Sequence, residues 1–231
     1  MPRVQSARLS IMPRASAPAD RAVARVLSFP GGDDTLIVAI RDGQRSAAVA
    51  LVDRYGKHIE RVLWRVLGPD QDLPDILHDV IAHALANIHQ VRRGASLKAW
   101  LTQVTVFCAR GVIRRRRRRS WLTFLGPSNV PEMTAPPVSP ETRDVLAATY
   151  AILAQLPDDE RIAFSLRFVG EMELTNVAAA LGVSLATGKR ILRRAESRFL
   201  TFAQRYPAVL DAIADGSRWG DPRSERQGEK R

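Results

Sequence analysis

Residues 172–199 constrain the fold most tightly. Leu174, Val177, Ala178 and Leu181 recur at helical spacing, so they make one apolar face of a short helix. Gly182 stands where a left-handed residue ends such a helix. Ser184 follows where a hydroxyl can accept a free backbone N–H of the next one. In that second helix Leu192, Ala195 and Phe199 share a face that can pack on the first. Lys189, Arg190, Arg193 and Arg194 are left outside it, with no acid before Glu196. Two helices joined by a tight turn, the second cationic on its outer face, suit the major groove of DNA. A plain helical hairpin with a solvated basic face fits the same spacing.

Charge agrees with a polyanionic partner. The 231 residues carry a net charge of +11 and a pI of about 11.0, which points to nucleic acid or an anionic surface. No apolar run approaches the roughly 18 residues needed to span a bilayer, so no membrane role is expected. Cys108 is the only cysteine, so no intramolecular disulfide can form. A reducing, cytoplasmic setting is therefore expected. Aromatic residues make up only 6% of the chain, which suits helices packed through small side chains.

In chain order, residues 1–32 read as a disordered basic tail. A first helix carries Leu36, Ile37 and Ile40, capped by Asp33 or Asp34 and closed at Asp42-Gly43. A second, about 46–67, bears the stripe Val49, Val52, Ile59, Val62, Leu63 and Val66, and Gly68-Pro69 stops it. A third starts near Asp72 with Pro74 in its first turn, where the missing N–H costs little. A fourth runs from Leu97 through Ile113 into six arginines, Arg114 to Arg119. From Val80 to Pro131 there is no acidic residue at all. Trp100 and Trp121 are interleaved with that basic stretch, and rings beside cations offer a stacking surface to unpaired bases. Trp100 as an ordinary core residue fits equally well. A Pro-rich linker follows, and the connection from 120 to 143 could extend to roughly 70–80 Å. After it come a helix marked by Val145, Leu146, Ile152, Leu153 and Leu156, a second begun by Pro157-Asp158-Asp159, and the helix-turn-helix.

Together these blocks resemble the extracytoplasmic-function group of bacterial RNA polymerase sigma factors, in the sigma-70 family. Asp72, then Asp75 through Val80, and Lys98-Ala99-Trp100-Leu101 followed by basic residues resemble its region 2. Leu156-Pro157 through Phe168, then Val177-Ala178, Leu181 to Ser184, Thr187, Lys189, Leu192 and Arg194-Ala195, resemble its region 4. The resemblance implies an all-α protein of two small helical domains, at 33–119 and 144–206, joined by the 120–143 linker and trailed by a 207–231 tail. It implies core RNA polymerase and promoter DNA as partners, an anti-sigma factor as the family often has, and a monomer when free. It implies no metal, no cofactor and no covalent chemistry.

The resemblance also assigns roles. Asp72, Asp75, His78 and Asp79 match the helix that docks on the polymerase clamp, with His78 and Asp79 where glutamine and glutamate are usual. Lys98, Trp100, Gln103, Phe107, Arg110, Arg114 and Arg115 match the part that opens and reads the −10 element. Ser184, Thr187, Lys189, Arg190, Arg193 and Arg194 match the part that reads the −35 element, where an arginine can pair bidentately with guanine. Phe107 stands where an asparagine often lines a pocket for a flipped base, and Gly111 where an aspartate is common. Phe107 can stack with a base but cannot hydrogen-bond it; buried core is the other reading of this residue. Gly188 replaces a branched aliphatic in the recognition helix, which costs about 1 kcal/mol relative to alanine and is expected to leave that packing site empty. Rival readings are a DNA-binding regulator that never touches polymerase, an RNA or membrane-surface binder using the arginine run, and a metal site at Asp75, Asp79 and His83, four residues apart.

Overall fold

The computed structural model describes residues 29, 31–92, 94–122 and 140–215, and every regular element in them is helical. The basic tail before residue 29, the proline-rich stretch 123–139 and the polar end after 215 lie outside the described residues. The first half holds α1 (Asp33–Arg41), α2 (Arg45–Leu67), α3 (Leu73–Asn87) and α4 (Leu97–Leu122). The second holds α5 (Pro140–Gln155), α6 (Asp158–Phe164), α7 (Leu174–Leu181), α8 (Leu185–Ala203) and α9 (Pro207–Asp215). A short π-helical turn, Ser165–Val169, continues α6. Helix α4 runs three residues past the expected boundary at 119, α5 starts inside the expected linker, and α9 occupies the first part of the expected tail.

Local sequence explains most of these ends. Gly182 after α7 takes φ 72° and ψ 32°, the αL conformation that a helix C-terminus favours, and Gly68 after α2 takes φ 89° and ψ −174°, a conformation open mainly to glycine. Two expectations for the first half are corrected. Gly32, not an aspartate, caps α1. Asp33 lies inside the first turn and accepts hydrogen bonds from the Tyr55 hydroxyl at 2.7 Å and Arg54 at 3.2 Å, tying α1 to α2. Val49 and Val52 are exposed. They fall in helical register with Ile59, but at that end the core takes Ala47, Ala50, Leu51 and Tyr55 instead.

The two halves share a core. Ile162, Ala163, Leu166, Val177, Ala180, Leu181 and Leu192 of the second half are buried in one cluster with the interior of α1–α4. A smaller cluster belongs to the second half alone, built on Phe164 stacked against Phe199 at 4.2 Å between ring centroids. The halves are thus packed together, α7 and α6 against α4 and the π turn against α2.

The junction is fixed at the C-terminus of α2. The last carbonyls of a helix have no backbone partner inside it; here the Gly68 N–H meets that of Trp64 at 2.8 Å, and those of Arg65, Val66 and Leu67 are left over. The Tyr150 hydroxyl lies 3.0 Å from the carbonyl oxygens of both Trp64 and Arg65. Arg161 donates to Val66 and Leu67 at 3.1 Å each. Its positive charge sits at the negative end of the helix dipole, which favours it. Burial pushes the Arg161 pKa down to about 10, so the guanidinium remains charged at neutral pH. Burial also raises the Tyr150 pKa, keeping its hydroxyl a donor. A Cβ on Gly68 would meet the Tyr150 ring at 2.8 Å, so glycine answers both the backbone and the close approach. Tyr150→Phe should destabilise the protein by about 1–3 kcal/mol, the usual cost of leaving a buried polar group unmet. Gly68→Ala should cost more. Urea unfolding followed by circular dichroism checks both, and unchanged midpoints would remove the junction from this role.

Candidate nucleic-acid interface

The helix-turn-helix forms as its sequence dictates. Ser184 caps α8, its Oγ accepting from the Thr187 N–H at 3.2 Å and donating to the Thr187 hydroxyl at 3.0 Å. Leu192, Ala195 and Phe199 face inward. Lys189, Arg190, Arg193 and Arg194 are exposed on the outer side, and none is paired with an acid among the described residues. Gly188 corrects an expectation, because no packing site is empty there. It is buried, and a Cβ at that position would come within 2.9 Å of the Ala178 Cβ. Glycine lets α7 lie directly on α8, and Ala178 fills the space.

Helix α4 has the opposite character: most of its basic groups are engaged. Arg110 pairs with Asp159 at 2.8 Å. Arg114 and Arg117 both pair with Asp158, at 3.1 and 3.2 Å. Arg116 pairs with Asp70 and reaches Asp72 at 3.5 Å. Gln103 donates to the Ala179 carbonyl of α7 at 3.0 Å. Lys98 and Arg115 are exposed. Trp100 is half-buried against the shared core. Phe107 is 60% exposed, which disposes of the reading as buried core, and it stacks on His83 of α3 at 5.4 Å between centroids. Cys108 beside it is half-buried, and burial, then the Asp79 charge, push its thiol up to about 11, so it stays protonated.

On α3, Asp75, His78 and Asp79 are exposed together on the outer face, and Asp72 is exposed just before the helix. The described residues contain no group of three His, Cys, Asp or Glu placed to hold a metal ion. No helix among them is long and apolar enough to cross a membrane. Between α2, the start of α4 and the start of α7 lies a cavity of about 480 Å³, with His58, Arg61, Arg65 and Lys98 on one wall and Glu173 and Asn176 on the other. His58 bonds Thr102 Oγ1 at 2.8 Å, and that hydroxyl in turn donates to the Lys98 carbonyl at 2.9 Å. The histidine must therefore donate. Burial, then the charges of Lys98, Arg61 and Arg65, push its pKa down to about 4, so it is neutral at pH 7.

Comparison with known families decides what this arrangement is. Residues 51–122 match the model of sigma-70 region 2, and residues 146–199 match that of sigma-70 region 4. The two matches together take in more than half of the chain. The chain belongs to the sigma-70 family, in its extracytoplasmic-function group.

Its relatives include the ECF RNA polymerase sigma factor SigG of Mycobacterium tuberculosis, 25% identical over 196 residues, covering 75% of this chain and 52% of SigG. The chain thus spans about half the length of that relative. The ECF RNA polymerase sigma-E factor of Escherichia coli is 24% identical over 178 residues, covering 71% of this chain and 91% of its own. Two solved structures share the fold at 20% identity. CnrH in complex with the cytosolic domain of CnrY has a TM-score of 0.53 and covers 75% of this chain and 98% of its own. The sigma factor RpoE of Bartonella quintana in complex with the anti-sigma factor NepR has a TM-score of 0.51 and covers 66% of this chain and 94% of its own.

In family terms, region 4 lies on the basic helix of region 2. Tyr150, Arg161, Asp158 and Asp159 make this contact, and although the last three lie in the stretch that resembles region 4, nothing local in the sequence marks them as partners of the first half. The acid-free stretch before them was the one available signal, since so many arginines on a packed helix need carboxylates from elsewhere. Those carboxylates hold Arg110, Arg114 and Arg117. Asp158→Asn with Asp159→Asn should raise the affinity of the free protein for single-stranded DNA severalfold, and steepen its fall with salt as more arginines become available. Fluorescence anisotropy on a labelled oligonucleotide reads both. Unchanged affinity and slope would show that the pairs do not compete with DNA.

Proposed function

We propose that this chain is a transcription initiation factor that binds core RNA polymerase and directs it to promoters. The observation that carries the reading is the contrast between its two basic surfaces. Lys189, Arg190, Arg193 and Arg194 on α8 are exposed and in no ion pair with an acid among the described residues, as suits a helix bound for the major groove. The basic face of α4 is held by carboxylates of the other half, as suits a surface used only after the halves part. Arg190 and Arg193 read the −35 element, with Lys189 and Arg194 on the backbone and the capped Ser184–Thr187 turn presenting helix N–H groups to a phosphate. Lys98, Trp100, Gln103, Arg110, Arg114 and Arg115 engage the −10 element. Phe107 offers a base its exposed ring, braced by His83, so capture relies on stacking more than on hydrogen bonding.

Asp72, Asp75, His78 and Asp79 dock on the polymerase. The protein's part in initiation calls for no covalent chemistry of its own. It acts in the cytoplasm, is a monomer when free, and is held in check by an anti-sigma factor, as the similar sigma factor RpoE is seen bound to the anti-sigma factor NepR. Charge reversal of Asp75 and Asp79 to arginine should abolish co-purification with core polymerase and run-off transcription from a randomised promoter library, while helical content stays intact. Core binding by the double variant would rule out the docking face. A wild-type protein that binds duplex DNA but never core would instead be a helix-turn-helix regulator.

A further inference from the structure

We propose that Leu185, with Ala186 beside it, reads the C5-methyl group of a thymine at the edge of the upstream element. The inference rests on α8 being the helix that enters the major groove.

Leu185 opens α8 directly after its cap. The two hydroxyls of that turn are already bonded to each other, Ser184 to Thr187. What the first turn presents outward is apolar. Leu185 is 41% exposed, and Ala186 is exposed as well. Neither belongs to a buried cluster, whereas Leu192, Ala195 and Phe199 further along α8 do. Leu185, Lys189 and Arg193 are spaced by four, so they follow one another along a single strip of the helix. Read from its N-terminus, that strip offers an aliphatic group, then a cation, then another cation.

A recognition helix brings its N-terminal residues to the base edges first. The base edges of the major groove offer donors, acceptors and one apolar feature, the thymine methyl. A leucine can neither donate nor accept, so opposite any other base it would only strip water from polar atoms. The first turn therefore selects thymine, while Arg190 and Arg193 one and two turns on select guanine. The upstream element so described has a thymine flanking its guanines on the side met by the helix N-terminus.

Deoxyuridine isolates the methyl, because it differs from thymidine by that group alone. The full-length protein, assembled with core polymerase, is first used to select an upstream element from a randomised library. Each thymine of the selected duplex is then replaced singly, on either strand, by deoxyuridine. One replacement should weaken binding about fourfold, the value of burying one methyl group. Leu185→Ala should bind both duplexes alike at that position, with its melting temperature unchanged. No sensitive thymine in the wild type, or a sensitivity that survives Leu185→Ala, would overturn the proposal. Arg190→Ala and Arg193→Ala keep the two readings apart. A changed guanine preference with a silent uridine scan removes Leu185 alone. An unchanged library profile in both arginine variants removes α8 as the reader, and the Leu185 proposal with it.

Discussion

The C-terminal carbonyls of α2 are the constraint on which the arrangement of the molecule depends. A 23-residue helix that ends in Gly68-Pro69 leaves the carbonyls of Arg65, Val66 and Leu67 needing partners. Water could meet that need if the end were exposed, but Val66, Leu67 and Gly68 are buried. The partners come instead from Tyr150 and Arg161, more than 80 residues further along the chain. Once those two side chains are seated, α6 and the π turn must lie against α2 and α4, and their apolar residues complete the shared core. Cap and core therefore support each other. The carbonyls orient the second half, and its apolar faces exclude the water that would otherwise compete for them.

Charge then decides which surface is open. The basic stretch of α4 cannot pair with acids of its own neighbourhood, because the sequence from Val80 to Pro131 has none. It takes Asp70 and Asp72 from the turn before α3 and Asp158 and Asp159 from the first turn of α6. In these pairs Asp70 and Asp158 are largely covered while Arg114, Arg116 and Arg117 stay partly open to water. Arg110 shows the compromise: one nitrogen meets Asp159, while its buried Nε has no acceptor among the described residues. On α8 only Arg198 is held in this way, by Glu160 at 3.1 Å, while Lys189, Arg190, Arg193 and Arg194 are exposed.

Much of this was legible in the sequence. The helix-turn-helix, its Ser184 cap and the Gly182 stop depend on residues within a few positions of each other, so periodicity and capping rules reach them. The exposed acids of α3 and the cations of α8 follow in the same way. What could not be read depends on distant contacts. Val49 and Val52 have the spacing of core residues, and only the packed structure shows that nothing covers them. Gly188 looked like a gap because its neighbour across the turn, Ala178, belongs to another helix. Phe107 left both a stacking and a core role open, and the outcome turned on His83 standing beside it at the surface. The pairing of Tyr150 and Arg161 with α2 has no local signature at all. A long proline-rich connection suggested two bodies free to separate, whereas the halves share one interior.

We propose that the free protein holds its halves together through this shared core and that promoter-bound polymerase parts them. A pair of spin labels tests it most directly, placed by Ala86→Cys on α3 and Ser197→Cys on α8 in a Cys108→Ser background. Both label positions are exposed. Pulsed dipolar spectroscopy of the free protein should give one narrow, short distance. Addition of core polymerase and promoter should replace it with a longer one. A broad distribution in the free protein, or a distance that polymerase and promoter leave unchanged, would contradict the account.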